Sequence, residues 1–171
     1  MSAAAVLPAV EAAEFRRCMR SLAGAVAVIT CGEEGARTGL TATAVCSLTD
    51  LPPMLLACVN NAASAHPVIR RTGRFAVNIL SEAQLPVAGR FAGRDGAEGE
   101  QRFAGAFWTH DEDGTPLLAD ALASFGCALE AEHRHGSHSI FVGRVTALRA
   151  SAGSPPLLYH EGRFGTFAAS A

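Results

Sequence analysis

What this 171-residue chain lacks narrows its chemistry first. Charge of one sign is not in excess, with 14 basic against 16 acidic residues, so no field draws in nucleic acid or an anionic membrane surface. No apolar run approaches the roughly 20 residues of a membrane span, and the apolar opening 1–10 has no basic leader of the kind a secretion signal carries. Cys-x-x-Cys spacing is missing too. The five cysteines, Cys18, Cys31, Cys46, Cys58 and Cys127, stand singly in apolar stretches and in odd number, which reads as buried thiols in a reducing, cytoplasmic compartment. No G-x-G-x-x-G follows a strand and no P-loop is present, so a Rossmann-type nucleotide domain is not expected. Neither paired carboxylates nor a serine elbow offers hydrolysis. Partners are therefore sought in a pocket, with nucleic acid and membrane set aside.

What is present is hydrophobic material, 49% of the residues, enough for one core and one domain. A flexible segment 1–12 is expected to precede a single domain over 13–168. Phe15, Met19 and Leu22 fall at helical spacing and predict an amphipathic helix over 11–22 that ends near Gly24 and packs on the domain. The continuous apolar run 25–31 reads as a buried strand, residues 37–47 as its partner, and 54–59 as a third strand after the Pro52-Pro53 break, giving an antiparallel meander. A short helix follows the loop 60–67, with Ser64 as its cap and Pro67 in its first turn. Residues 75–80 predict a strand, residues 81–91 a second helix closed by Gly93, and 95–101 a Gly-rich mobile loop. The longest hairpin pairs 123–134 with 139–149 and turns at His135-Gly136-Ser137, leaving His138 at its mouth. Two short strands, 157–160 and 163–167, end the chain.

One stretch organises the rest: Gly39-Leu40-Thr41-Ala42-Thr43-Ala44-Val45-Cys46-Ser47-Leu48-Thr49. Its β-branched residues favour extended backbone, yet its small side chains would let a flat body approach the main chain. The segment Thr41-Ala42-Thr43-Ala44-Val45-Cys46-Ser47-Leu48-Thr49 resembles the flavin-cradling strand of the flavin reductase-like proteins. The resemblance continues in order through 15–30, 60–67, 75–80, Phe91-Ala92-Gly93, Gly136-Ser137-His138-Ser139 and 157–164. It implies a mainly β fold with flanking helices, an antiparallel split β-barrel of the FMN-binding type.

It also implies an activity, an NAD(P)H:flavin oxidoreductase that takes FMN or FAD, oxidises NADH or NADPH and supplies reduced flavin to a partner monooxygenase. Such proteins are homodimers with the flavin near the subunit interface. By the resemblance the flavin contacts are Thr41, Ala42, Thr43, Ala44, Val45, Cys46 and Ser47, with Asn60 and Ser64 on the phosphate loop. Ala62, Ala63 and Ala65 replace hydroxyl residues common there, which leaves phosphate contacts at Ala62 and Ala63 to the backbone. Asn78, whose amide needs partners if buried, is a further flavin contact or else bonds to neighbouring backbone. Phe91, Ala92, Gly93 and Arg94 flank the phosphate or ribose, while Tyr159 and His160 flank the nicotinamide. His138 is the candidate catalytic residue. Ser137 stands where the family has an acid and Ser139 where it has threonine, so the imidazole loses an orienting carboxylate.

Two other readings compete. One is a flavin-binding protein without reductase activity. The other is a metal-binding module on His133, His135 and His138, with Glu132 facing the other side of the strand and no other ligand at suitable spacing. If a flavin binds, the difficult chemistry is the flavin's and the protein's task is alignment.

Overall fold

The structure is a computed structural model that describes residues 10–151 and 153–168. Most of the expected flexible segment, residues 1–9, lies outside the described residues.

A seven-stranded antiparallel sheet carries the fold. Its strands are β2 (Ala27–Cys31), β3 (Thr38–Ala42), β4 (Val45–Asp50), β5 (Pro53–Asn60), β6 (Arg74–Ile79), β9 (Ala123–His135) and β10 (His138–Ala150). They lie in the order β3-β2-β6-β9-β10-β5-β4. The two marginal strands, β3 and β4, are separated in the chain by Thr43 and Ala44 alone. A sheet whose first and last strands are joined by two residues has to curl until its margins nearly meet, which makes a barrel with one seam left open.

This corrects the expected meander. Residues 37–47 do not form one strand; the chain breaks at Thr43-Ala44, β3 pairing back onto β2 and β4 onward onto β5. No ladder joins β3 to β4. A second sheet of β1 (Gly24–Ala25), β11 (Leu157–His160) and β12 (Arg163–Thr166) and a small pair of β7 (Trp108–His110) and β8 (Pro116–Leu118) complete the strands.

The apolar run 25–31 is continuous because β2 is covered on both faces. Ala27, Ile29 and Cys31 point into the barrel with Val59, Phe75, Val77 and Phe141. Val26 and Val28 point outward into a second cluster with Leu80, Phe91, Phe103 and Leu118. Each fully buried phenylalanine or isoleucine contributes roughly 1.5–3 kcal/mol of transfer free energy. The outer cluster is held against the barrel by α3 (Leu85–Phe91), which follows a short 3-10 turn at Glu82–Gln84. Trp108 is anchored here, 5.5 Å from the Phe91 ring and 4.8 Å from Phe103, its indole N–H donating to the Phe103 carbonyl at 2.9 Å.

Two glycines are fixed by close approach. A Cβ on Gly39 would stand 2.4 Å from the Ile29 carbonyl oxygen and 2.8 Å from the Phe91 ring, and one on Gly143 would stand 2.6 Å from the Phe75 ring. In both places a side chain would force two packed elements apart.

Two more expectations are corrected. The helix α1 (Ala12–Met19) forms but ends before Leu22, and Phe15, Met19 and Leu22 remain 56%, 47% and 67% exposed, so the segment does not pack on its own barrel. The Gly-rich loop is also more ordered than expected. A 3-10 helix, Gly99–Phe103, sets Glu100 against Arg37 in a two-pronged ion pair (3.1 and 2.8 Å), and the Arg37 guanidinium lies 4.4 Å from the Phe103 ring centre. That guanidinium holds the Glu100 carboxyl below the usual range. Arg102 donates to the carbonyls of Gly39 (2.6 Å) and Ala97 (2.9 Å), tying the same loop to β3.

Candidate active site

The open seam is where main chain is bare. β3 is paired only to β2 and β4 only to β5, so their outward N–H and C=O groups lack ladder partners apart from the Gly39 carbonyl taken by Arg102. At the junction Thr43 and Ala44 are exposed. Beyond it Val45, Cys46 and Ser47 line an apolar cavity of about 420 Å³ with Leu55, Phe125 and Val145. A flat ring with polar edges fits such a place, because unpaired backbone groups can meet its edge while small side chains admit its face.

The candidate residues divide. Thr41 and Ala42 are half-buried, and the Thr41 hydroxyl donates to the Ala88 carbonyl of α3 at 2.7 Å, so this part of the expected cradle is already packed. Thr43 and its successors are open. Gly24 packs against Thr43 (a Cβ added there would stand 3.1 Å from the Thr43 Cβ), and Gly24 pairs with Tyr159. Tyr159 lies edge-on to Phe164 at 5.2 Å, and the Arg94 guanidinium sits 4.8 Å from the other ring contact, Phe164. A chain of contacts therefore links Thr43, at the seam, through Gly24, Tyr159 and Phe164 to Arg94, and Ala92 and Gly93 are exposed next to Arg94. His160 is exposed at the end of β11.

Four expectations are corrected by the side-chain geometry. Asn78 is fully buried. Its Nδ2 donates to the Val28 carbonyl (3.0 Å) and Thr30 Oγ1 (3.1 Å), and its Oδ1 accepts from Leu118 N–H (2.9 Å) and Ser124 Oγ (2.8 Å). The amide is spent on joining β2, β6, β8 and β9, leaving nothing for a ligand. Phe91 is a core residue, buried against Phe103 and Trp108. Ser64 does not cap α2 (Ala65–Thr72) with its side chain; its hydroxyl bonds Thr38 Oγ1 at 2.7 Å. The backbone N–H groups of Ala62 and Ala63 are used within the loop, by Asn60 Oδ1 (2.9 Å) and Asn60 O (3.0 Å).

The thiols also divide. Cys31 and Cys127 are buried, and burial pushes both up to about 12. Cys18 and Cys46 are exposed, contrary to the expectation of buried thiols throughout.

At the hairpin mouth His138 pairs in register with His135 on one side and Asn60 on the other, so the two candidates His138 and Asn60 are neighbours. The Ser137 hydroxyl lies 2.9 Å from His138 Nδ1 and supplies the orienting contact that the missing carboxylate would have made. Glu132 lies on the strand face opposite His133, His135 and His138 and meets His66 instead, its Oε1 3.3 Å from His66 Nε2. Among the described residues no three His, Cys, Asp or Glu side chains gather at metal-binding separation.

Residues not chosen from the sequence as site candidates form a well-connected polar cluster. The Glu132 carboxylate accepts from Ser139 Oγ (2.8 Å), Arg134 Nε (3.1 Å) and Arg70 Nε (2.9 Å), and buried His66 places Nε2 2.8 Å from Ser139 Oγ. The Ser139 hydroxyl and the two arginines hold the Glu132 carboxyl below its ordinary range. The available signal was phase: Glu132 and Ser139 alternate in step with buried Phe141, which places them on the barrel's inner face.

Curled sheet, open seam and flanking α3 together are the architecture of split-barrel flavin enzymes. A family model described as flavin reductase like domain matches residues 19–168. The FMN reductase (NADH) RutF 1 of Methylorubrum extorquens is 44% identical over 165 residues, covering 96% of this chain and 81% of that protein. BorF, the flavin reductase component of a bacterial two-component tryptophan halogenase, superposes with a TM-score of 0.85 at 32% identity, covering 94% of this chain and 100% of that one. The Streptomyces globisporus NADH:FAD oxidoreductase SgcE6, in complex with NAD and FAD fragments, gives 0.83 at 30% identity, covering 93% and 94%. The chain belongs to the flavin reductase-like family.

Proposed function

We propose that this protein transfers hydride from NADH to a flavin, FMN first, in the open seam between β3 and β4, and releases reduced flavin to a monooxygenase. The observation that carries the reading is the seam itself: two unpaired sheet margins joined at Thr43-Ala44, beside an apolar cavity of about 420 Å³. Membership of the flavin reductase-like family supports it, and the relatives' names favour FMN and NADH.

The flavin supplies the redox chemistry when bound. The chain's own part is to bind and align: Thr43, Ala44, Val45, Cys46 and Ser47 admit the ring, Asn60 and His138 border it from the hairpin side, Arg94 reaches a phosphate or ribose, and Tyr159 and His160 flank the nicotinamide. Hydride transfer needs the two rings about 3–3.5 Å apart and face to face, and a flat slot with small walls provides that without an acid or base.

A second copy of the chain covers the apolar face of α1. Phe15, Met19 and Leu22, with Leu48, Leu51 and Leu148 exposed elsewhere, give a homodimer apolar surface to bury. The five unpaired cysteines support a cytoplasmic setting.

The test is NADH oxidation by purified protein with and without added FMN or FAD. Turnover that depends on flavin is expected. Absence of turnover with either flavin overturns the reading, and tight flavin binding without NADH oxidation supports a flavoprotein that is no reductase.

A further inference from the structure

Asn61 holds the turn that leads into His138 and lies against Ser139 on its far side. Its backbone N–H donates to the Ser137 carbonyl at 2.9 Å, its Nδ2 donates to the Gly136 carbonyl at 3.1 Å, and its Oδ1 lies 3.1 Å from Ser139 Oγ. The turn between β9 and β10 consists of Gly136 and Ser137 only, so both of its carbonyls are held by this one residue. Ser139 is fully buried, and its hydroxyl also meets Glu132 Oε1 and His66 Nε2, each at 2.8 Å. Behind it Glu132 is fastened by Arg70 and Arg134. His138 itself is exposed, with a single side-chain bond, from Nδ1 to the hydroxyl of Ser137.

A two-residue turn at the end of a hairpin of two 13-residue strands would otherwise be among the freest parts of the sheet. Here it is anchored to the loop 60–64, that loop is tied to β3 through the Ser64 and Thr38 hydroxyls, and Ser139 is held from the barrel interior by Glu132 and His66. An exposed imidazole whose flanking backbone is pinned on both sides has its ring position set by the pin. We propose that Asn61 is a positioning residue for the hydride-transfer site: it touches neither ring but fixes where His138 stands. The inference rests on the reading that His138 borders the reacting rings.

The experiment is a double-mutant cycle on steady-state NADH oxidation with FMN, using Asn61→Ala, His138→Ala and both together, with thermal midpoints recorded for each. Misplacing a group by about an ångström is costly, so Asn61→Ala is expected to lower kcat about tenfold with KM for FMN changed less than about twofold. In the His138→Ala background the same substitution is expected to cost less than about twofold, because its target is gone. Asn61→Asp, which keeps the volume but replaces the donor to Gly136 by a charged acceptor oxygen, covers the case in which the alanine variant folds poorly, and the same coupling is expected of it. An Asn61 effect that persists undiminished in the His138→Ala background overturns the inference and makes Asn61 a general scaffold residue. So does a kcat unchanged in both Asn61 variants. If His138→Ala alone keeps full kcat, the role given to His138 falls, and the positioning role with it.

Discussion

Asn78 shows how one residue can look like a ligand contact and prove to be a rivet. A lone amide in the apolar run 75–80 needed partners, and the sequence left two kinds open, a flavin or neighbouring backbone. The structure supplies four protein partners on three neighbouring strands. Asn78→Ala should therefore destabilise the fold by about 2–3 kcal/mol through orphaned buried donors and acceptors, measured by urea unfolding, while KM for flavin stays near the wild-type value. The thiols give a second residue-scale prediction. The thiolate is the reactive form, and burial holds Cys31 and Cys127 as thiols up to about 12. In native protein at pH 8, Cys18 and Cys46 should react first with a thiol reagent and Cys31 and Cys127 only on unfolding, as read by mass spectrometry of labelled peptides. Glu132 gives a third. Its carboxyl is held down in the folded state, so its contribution to stability is complete above the unfolded value of about 4.3 and fades as pH falls through the lower folded value. Wild type and Glu132→Gln should therefore differ in chemical stability near neutrality and converge below about pH 4.

At the level of elements, the contact between α3 and β3 sets the inner wall of the seam. Gly39 lets the Phe91 ring lie on the strand, and the Thr41 hydroxyl ties down Ala88. Gly39→Ala would drive a methyl into the Ile29 carbonyl and the Phe91 ring, at a cost of roughly 1–3 kcal/mol in stability. A raised KM for FMN should accompany it, because α3 and Arg94 shift together; denaturant curves and steady-state kinetics check the two halves. Elements are also where the sequence was most legible. The buried strand 25–31 announced itself by an unbroken apolar run, and the long hairpin by its length and its Gly136 turn. The break at Thr43-Ala44 was not legible, because residues on either side share one composition. What separates them is pairing with β2 behind and β5 ahead, a long-range choice no local pattern records. For the same reason Asn61, Glu132 and Ser139 were not chosen as site residues: polar residues near strand tips read as solvated until the curl of the sheet turns them inward.

For the whole molecule, the apolar face of α1 has no partner among the described residues. If a second copy covers it, Phe15→Glu with Met19→Glu should convert a dimer to a monomer in light scattering, while the circular dichroism spectrum keeps its β signature. A monomer in the wild type would remove that part of the proposal.

The seam described above has a last consequence, in the time domain. Parting its two margins breaks no rung of any ladder, so whatever occupies it is the missing stave of the barrel. Amide protons along the outer edges of β3 and β4 should trade with deuterium far sooner than those of β6 or β9. Saturating FMN, by completing the circle, should slow that trade at these two strands before any others.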